Sequence, residues 1–413
     1  KQVFSMVAAK HTRHPDHVAD IAGKRILKGS FIFGANASGK SNFVKAISSA
    51  RNMVFKGVAG VERKYFRLDP AWAEKPGMFQ FDIFSNGSFY SYGFAFTYLD
   101  ASIISEWLYK IHGNSEICVF EREYKDGKTN INTELKFSED NRFRFRIYSE
   151  DIKKSKTFLR EIAEKETINN PEFKAIKDVW KWFQELVVLF PNTHLGPDAF
   201  TNLASDKQFH SILQSLDTGI KSFSIEEQPI DKILNYAPEQ VRDNFFASVE
   251  NFVKKKGRHG TNVILGDDLY SFVMRNNQLV ALKQMMNHGN PSELFSYNDE
   301  SDGTRRLFDL LPFVTNITGS GVILIDEIDR SFHTKLIIRY LELFYANTNK
   351  LDIQLIASLH DVNIMDLDIV RQDEIWFIYK ESETGASRMY SLNKFQIRFD
   401  KKIIKDYLLG RFG

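Results

Sequence analysis

Residues Gly34-Ala35-Asn36-Ala37-Ser38-Gly39-Lys40-Ser41 fit the spacing G-x-x-x-x-G-K-[ST], which serves the capture of a nucleotide's phosphates. In such a loop the glycines let backbone N–H groups turn inward around the β-phosphate. Lys40 then reaches the β and γ oxygens, and the Ser41 hydroxyl ligates Mg²⁺. The expected cradle runs through Gly34, Asn36, Ala37, Ser38, Gly39, Lys40 and Ser41 to Asn42. Context separates it from a chance glycine-rich turn. The apolar run Phe31-Ile32-Phe33 precedes it, and a helical pattern without proline follows over 42–47.

A second set of residues could complete the chemistry. Gly321-Val322-Ile323-Leu324-Ile325-Asp326-Glu327 is an apolar run ending in two carboxylates, the pattern of a buried parallel strand whose tip enters a site. Asp326 is the candidate Mg²⁺ residue, and Glu327 the candidate general base toward an attacking water. Alone, this run would read as a core strand followed by a solvated acidic turn; the upstream phosphate loop tips the balance.

Two weaker signals fall in order around that strand. Ser301-Asp302-Gly303-Thr304-Arg305-Arg306 precedes apolar positions at Leu307, Leu310, Leu311 and Phe313, so Ser301 suits a helix N-cap. Gly303 would permit a close backbone approach, and the helix N-terminus could receive a γ-phosphate. An ordinary capped helix fits this stretch about as well. Downstream, Gln354-Leu355-Ile356-Ala357-Ser358 reads as a strand leading to Leu359-His360-Asp361, which makes His360 a candidate γ-phosphate contact. A lone histidine is more often structural; the order of the four motifs carries the argument.

Here the chain resembles a known group. Residues 33–42, the stretch 300–306, Asp326-Glu327-Ile328-Asp329-Arg330-Ser331-Phe332-His333 and the tail 406–413 are similar to the AAA-labelled, ABC-like ATPases of the abortive-infection group (AbiLi- and RloA-type). Those proteins are relatives of OLD-nuclease ATPase halves and of the PARIS ATPase AriA. The resemblance spans most of the chain and implies an α/β, ABC-type (SMC/OLD-like) P-loop ATPase head with an antiparallel β subdomain and a helical insertion. It implies ATP and Mg²⁺ as cofactors, and a homodimer or higher oligomer. In such an oligomer Ser301 and Gly303 face the γ-phosphate held by a neighbouring subunit. It implies a cytoplasmic role in antiphage defence as sensor or regulator of a separately encoded nuclease or toxin, with a phage-encoded trigger. Relative to SMC proteins, His333 replaces a D-loop Asp and the signature lacks a Gly-Gly pair. No Q-loop glutamine stands out; Gln80 is a candidate by position. Alternatives are an ATP-gated scaffold without turnover, a DNA-repair SMC-like head, and a transporter's nucleotide-binding subunit.

Composition fits an intracellular globular machine. The 36 Phe among 413 residues can fill more than one core. Basic and acidic residues nearly cancel (55 against 53), so bulk charge neither indicates nor excludes nucleic acid. The single Cys118 excludes an internal disulfide and a Cys-x-x-Cys zinc hook. No long apolar run or signal-like start predicts a membrane span. The opening Lys1 leads us to expect a missing N-terminal piece, a head β-strand in the group resembled. Only 53 residues follow His360 (413 − 360), too few for an appended nuclease domain, so nucleic-acid cleavage is expected of a partner.

The texture predicts three segments: 1–150, an N-terminal lobe with the phosphate loop and a β meander; 151–260, a compact helical insertion; 261–413, a C-terminal lobe with signature, acidic strand and histidine. Meander strands are expected at 78–84, 88–97, 117–123 and 133–137, with strand texture to 148. Helical stripes run through Phe173, Ile176, Val179, Phe183 and Val187, and through Phe209, Ile212, Leu213 and Leu216. Strands resume at 262–265 and 269–274, and the tail carries a strand near 375–378 and a basic helix near 401–409. The basic run 254–259 reads first as a helix C-terminus. His11, His14 and His17 match no standard metal spacing; they read as a surface loop or, by the resemblance, one touching adenine. Trp180 and Trp182 read as core or interface aromatics.

Overall fold

The computed structural model describes residues 2–125, 127–193, 203–216, 218–255, 260–265, 268–315, 321–348, 353–395 and 403–412. Continuous apolar runs become the central sheet. The hairpin β1 (Val18–Ile21) and β2 (Lys24–Leu27) leads into β3 (Gly29–Phe33), every residue of which is buried. Helix α1 (Lys40–Lys56) follows the loop after β3. Phe31 and Phe33 point into one core and Ile32 into another, where it meets Val44 of α1. Burial on both faces is why this strand lacks polar alternation.

A meander follows, in which each strand pairs antiparallel with its neighbour in sequence: β4 (Gly77–Ser85), β5 (Ser88–Phe96), β6 (Ile103–His112), β7 (Ser115–Lys125) and β8 (Lys128–Asn132). Asn86 (φ 46°) and Gly87 (φ 83°) make the first turn, a backbone that Asn-Gly adopts cheaply. Two expectations fail here. The last strand is 128–132 and not 133–137, and 139–148 lies in α2 (Glu139–Glu150), whose first turn is acidic as a helix N-terminus favours.

Helices α3 (Phe158–Ala163) and α4 (Lys174–Glu185) close the meander's core, bringing Phe158, Ile162, Ile176, Val179 and Phe183 against Tyr92, Phe94 and Phe120. Trp180 packs edge-on against Phe55 and Trp182 against Phe81 and Phe183, so both are half-buried aromatics flanking this core. Deep inside, Glu106 accepts from the Phe158 and Leu159 amides at 2.6 and 3.0 Å and from the Tyr92 hydroxyl at 3.0 Å, with Arg122 3.6 Å away. Burial pushes the Glu106 carboxyl up, and Arg122 pulls it back.

The stretch expected to be wholly helical also contains strands. Val187, placed by periodicity on a helix, belongs to β9 (Val187–Leu189) at the edge of the central sheet. After α5 (Lys207–Ser215), β10 (Ser222–Gln228) joins a second antiparallel sheet beyond α6 (Glu239–Lys255). Its other members are β11 (Gly260–Leu265), β12 (Asp268–Arg275), β13 (Gln278–Asn287) and β14 (Leu294–Ser296). The basic run lies outside the described residues from 256 onward.

The chain then returns to the central sheet. Helix α7 (Asp302–Leu310) precedes β15 (Gly321–Ile325), and α8 (Thr334–Thr348) precedes β16 (Ile353–Ser358). β17 (Ile375–Lys380) and β18 (Ser387–Ser391) follow, and α9 (Ile403–Leu408) is the tail helix, Lys401 lying outside the described residues. The strand order is β18-β17-β3-β16-β15-β9, parallel throughout except for the β17–β18 edge. Register pairs Ile325 with Ala357, Ser358 with Ile32, and Phe377 with Phe33. The C-terminal tips of β3, β15, β16 and β17 therefore share one edge, where open α/β sheets place ligands. Among the described residues no helix is long and apolar enough to cross a membrane.

Candidate nucleotide-binding site

The loop between β3 and α1 is shaped by two glycines pressed against the sheet. A Cβ on Gly34 would lie 2.2 Å from the Ile378 carbonyl and 2.6 Å from Ser38 Oγ; one on Gly39 would lie 2.5 Å from Ser387 Oγ. Gly39 also has φ 115°, which a side chain rarely tolerates. The Ser387 hydroxyl donates to the Ser38 carbonyl at 2.6 Å, so β18 clamps the loop from behind. Ala37 is left-handed (φ 63°), and Asn36 and Ala37 are exposed at the loop crest. Among the described residues Ser38 Oγ is buried without a hydrogen-bond partner. Ser41, half-buried, and Asn42, exposed, begin α1.

Lys40 is buried and donates to the Gly34 carbonyl at 2.6 Å and the Ala35 carbonyl at 3.3 Å, spanning the loop's mouth. Burial lowers its pKa, opposed by Asp329 first, then Glu327 and Asp326. The ammonium thus lies within the electrostatic reach of three carboxylates brought in by β15 and the turn after it.

Those carboxylates are held in different ways. Asp326 is buried and accepts from Ser358 Oγ at 2.7 Å. The same Oγ accepts from the Glu327 amide at 2.8 Å, and the Ile328 amide donates to the Ser358 carbonyl at 3.1 Å. Glu327 needs that support, because its φ of 52° is a left-handed backbone costing about 1–3 kcal/mol in a non-glycine residue. The turn aims its carboxylate outward, where Oε1 lies 3.5 Å from Nε2 of His360, at the end of β16. Asp329 accepts from the amides of His360 and Asp361 at 2.7 and 2.6 Å, while its other oxygen is buried without a partner.

Ser301 caps α7, its Oγ accepting from the Thr304 amide at 3.1 Å. Gly303 does permit a close approach, but to this chain's own backbone: a Cβ there would lie 2.6 Å from the Ser331 carbonyl, in the turn after Glu327. Among the described residues no hydrogen bond or ion pair joins Ser301 or Gly303 to the 34–42 loop. Gln80 is exposed on β4 and bonds to Asp82 and Ser91 of its own hairpin. The His11–His17 stretch lies at the opposite end of β3: the His17 carbonyl accepts from the Lys28 amide at 2.9 Å, just before β3 begins. That placement argues against contact with the loop side of the sheet.

Residues that motif reasoning left unassigned matter here. Asp329, Ser358, Ile378 and Ser387 fix the loop and the acidic turn; Asp329 is three residues after Asp326, but the others meet the site only through the sheet. The set suits a phosphate-bearing ligand with a divalent cation. Ser38 Oγ and Lys40 offer donors, and Asp326 has a second oxygen beyond its bond to Ser358.

The family model described as "AAA domain, putative AbiEii toxin, Type IV TA system" matches residues 30–366. No curated protein matches the chain. Among solved structures the chain is similar to an Smc head bound to the C-winged helix domain of ScpA (16% identity, 90% of this chain and 94% of that one, TM-score 0.35). It is similar to the SMC head domain from Thermotoga maritima (13% identity, 91% and 95% coverage, TM-score 0.32). A third is an Smc head with an extended coiled coil bound to the C-terminal domain of ScpA, derived from Pyrococcus furiosus (15% identity, 94% of each chain, TM-score 0.29). At TM-scores this low these likenesses carry no functional argument.

Proposed function

This chain belongs to that AAA domain family, and from this premise we propose that it is a Mg²⁺-dependent ATPase. The observation that supports this best is that the loop carrying Lys40 leaves the tip of β3 at the same sheet edge as Asp326 and Glu327 after β15 and His360 after β16, with His360 beside Glu327. Gly34, Asn36, Ala37, Ser38, Gly39, Ser41 and Asn42 cradle the phosphates, and Lys40 places its charge on the β and γ oxygens. Ser41 and Asp326 are the residues to hold Mg²⁺, which when bound neutralises phosphate charge. Glu327 takes the proton from a water attacking the γ-phosphorus, the bond to the β-phosphate oxygen breaks, and ADP and phosphate leave. His360, a neighbour of that carboxylate, stabilises charge on the γ-phosphate oxygens. Phosphate release should therefore require Mg²⁺, stop with EDTA, and fail in Asp326→Asn. Release that persists in both cases would refute the site.

The oligomer and the biological role belong to the same proposal. The capped N-terminus of α7, led by Ser301 and Gly303, faces the γ-phosphate of a second copy, so that two sites form at a two-fold pair. Its fixed seat on the Ser331 turn supports a link between that contact and Glu327. Nucleotide state then holds or releases a separately encoded toxic effector in antiphage defence, in keeping with the toxin–antitoxin wording of the family description. Mixing Lys40→Ala with Ser301→Arg subunits should restore part of the activity both lack. No recovery in demonstrated mixed oligomers would place the α7 contact within one chain.

A further inference from the structure

The turn from His14 to His17 is unused by the site above, yet it gathers three metal-ligating side chains. Donor atoms of His14, Asp16 and His17 all lie within 4.8 Å of one another. The cluster sits at the N-terminal end of β3, whereas the phosphate loop leaves its C-terminal end. Five strand residues separate the two, about 16 Å at ~3.3 Å per residue.

Each imidazole is oriented by an acceptor on its far side. His14 Nε2 donates to the Leu367 carbonyl at 2.8 Å, and His17 Nδ1 donates to the Glu374 carboxylate at 3.0 Å. Glu374 is itself fully buried and fixed by the Arg371 amide at 2.7 Å and the Tyr345 hydroxyl at 2.9 Å. A carbonyl or carboxylate accepts only from a protonated nitrogen, so the lone pairs fall on His14 Nδ1 and His17 Nε2. His17 Nε2 lies 4.0 Å from Asp16 Oδ2, and a ring nitrogen of His14 lies within 4.8 Å of the donor atoms of both. Among the described residues His14 Nδ1 has no hydrogen-bond partner. Metal-bound histidines are held in this way, with the other ring nitrogen donating to a carboxylate or backbone carbonyl.

Packing keeps the rings in place. Tyr345 stacks on His17 with centroids 3.4 Å apart, and His14 stacks on His17 at 4.7 Å. His14 reaches that position through a left-handed backbone, φ 45°, a conformation that strains a non-glycine residue. A satisfied surface loop would account for the outer hydrogen bonds. It does not account for donor atoms of two imidazoles and a carboxylate gathered within 4.8 Å on a strained turn.

We propose that His14 Nδ1, Asp16 and His17 Nε2 form a site for a divalent transition metal, Zn²⁺ by the chemistry of its donors. Two imidazoles and one carboxylate suit Zn²⁺, and nitrogen donors disfavour Mg²⁺ and Ca²⁺. A closed set needs donors about 3.3 Å apart, from Zn–N bonds of ~2.0–2.1 Å in a tetrahedron. Asp16, whose side chain is 53% exposed, is free to turn inward and close it. The Lys28 ammonium, which donates to the Asp16 carbonyl at 2.6 Å, opposes the metal's charge; Asp16 and Glu374 offset it. The bound ion ties the N-terminal turn to the start of the central sheet.

The test is calorimetric titration of the full chain with Zn²⁺, with Co²⁺ absorption as a second readout of nitrogen ligation. The Asp326→Asn variant separates this site from the nucleotide-site carboxylates. One equivalent should bind to wild type and to Asp326→Asn, with His14→Ala and Asp16→Ala each weakening Zn²⁺ affinity by at least the ~10-fold that loss of a mere outer partner costs. His14 and Asp16 are chosen because neither is as buried as His17, so the fold tolerates their loss. No binding by wild type, binding undiminished in both variants, or binding lost in Asp326→Asn would each overturn the proposal.

Discussion

Replacing Gly39 by alanine tests whether the loop's shape, rather than its composition, determines nucleotide binding. The added Cβ meets Ser387 Oγ at 2.5 Å and Ser387 Cβ at 3.1 Å, on a backbone of φ 115°. Holding a side chain in such a conformation costs about 1–3 kcal/mol. Pushing Ser387 aside also forfeits its 2.6 Å hydrogen bond to the Ser38 carbonyl, worth about 1 kcal/mol. The loop conformation then becomes about 2–4 kcal/mol less favourable, a 30- to 1,000-fold loss of affinity at ~1.4 kcal/mol per decade. Titrating a fluorescent ATP analogue in Mg²⁺ measures this, and thermal unfolding checks that the cores persist. Adding Ser387→Gly removes the collision but leaves the backbone cost, so the double variant should recover only part of the loss. If Gly39→Ala binds ATP within about threefold of wild type, the structural account of the cradle is wrong.

Other outcomes follow from the same geometry. Glu327→Gln should retain ATP binding while turnover falls ~10²–10⁴-fold, because the amide cannot take a proton; single-turnover phosphate release separates the two steps. His360→Ala should lower kcat by more than it changes ATP affinity, and a collapse of affinity at unchanged kcat would make His360 a binding or structural residue. Far from the site, Glu106→Ala leaves the Arg122 guanidinium buried beside three freed donors. It should destabilise the fold by about 3–5 kcal/mol in urea unfolding, and a loss below 1 kcal/mol would mean that water reaches this pocket.

The candidate site was legible where its chemistry is local. A phosphate loop is a run of consecutive backbone N–H groups and one lysine, so strand, glycines and helix announce it together. The acidic tip at Asp326 and Glu327 is visible for the same reason, since an apolar run ending in carboxylates has few uses. Contacts made across the sheet were not legible. Ser387 meets the Ser38 carbonyl from 349 residues away, and Ser358 holds the Glu327 amide across 31. The short stretch 133–137 was misread because its alternation ends just as an acidic helix start takes over. β13 escaped detection because Gln, Leu, Lys and Met favour helices, and only pairing with β10 and β12 makes them a strand. Gly303 shows the opposite hazard: its smallness was visible, but the neighbour requiring it is the Ser331 carbonyl.

The central claim rests most directly on Lys40, whose buried ammonium lies within the electrostatic reach of Asp326, Glu327 and Asp329 at the mouth of the loop. The measurement is steady-state phosphate release from ATP by wild type and Lys40→Ala, purified side by side at fixed Mg²⁺. Wild type should hydrolyse ATP, and Lys40→Ala should fall to the level of buffer while keeping the wild-type melting temperature. Equal turnover by the two proteins would contradict the account.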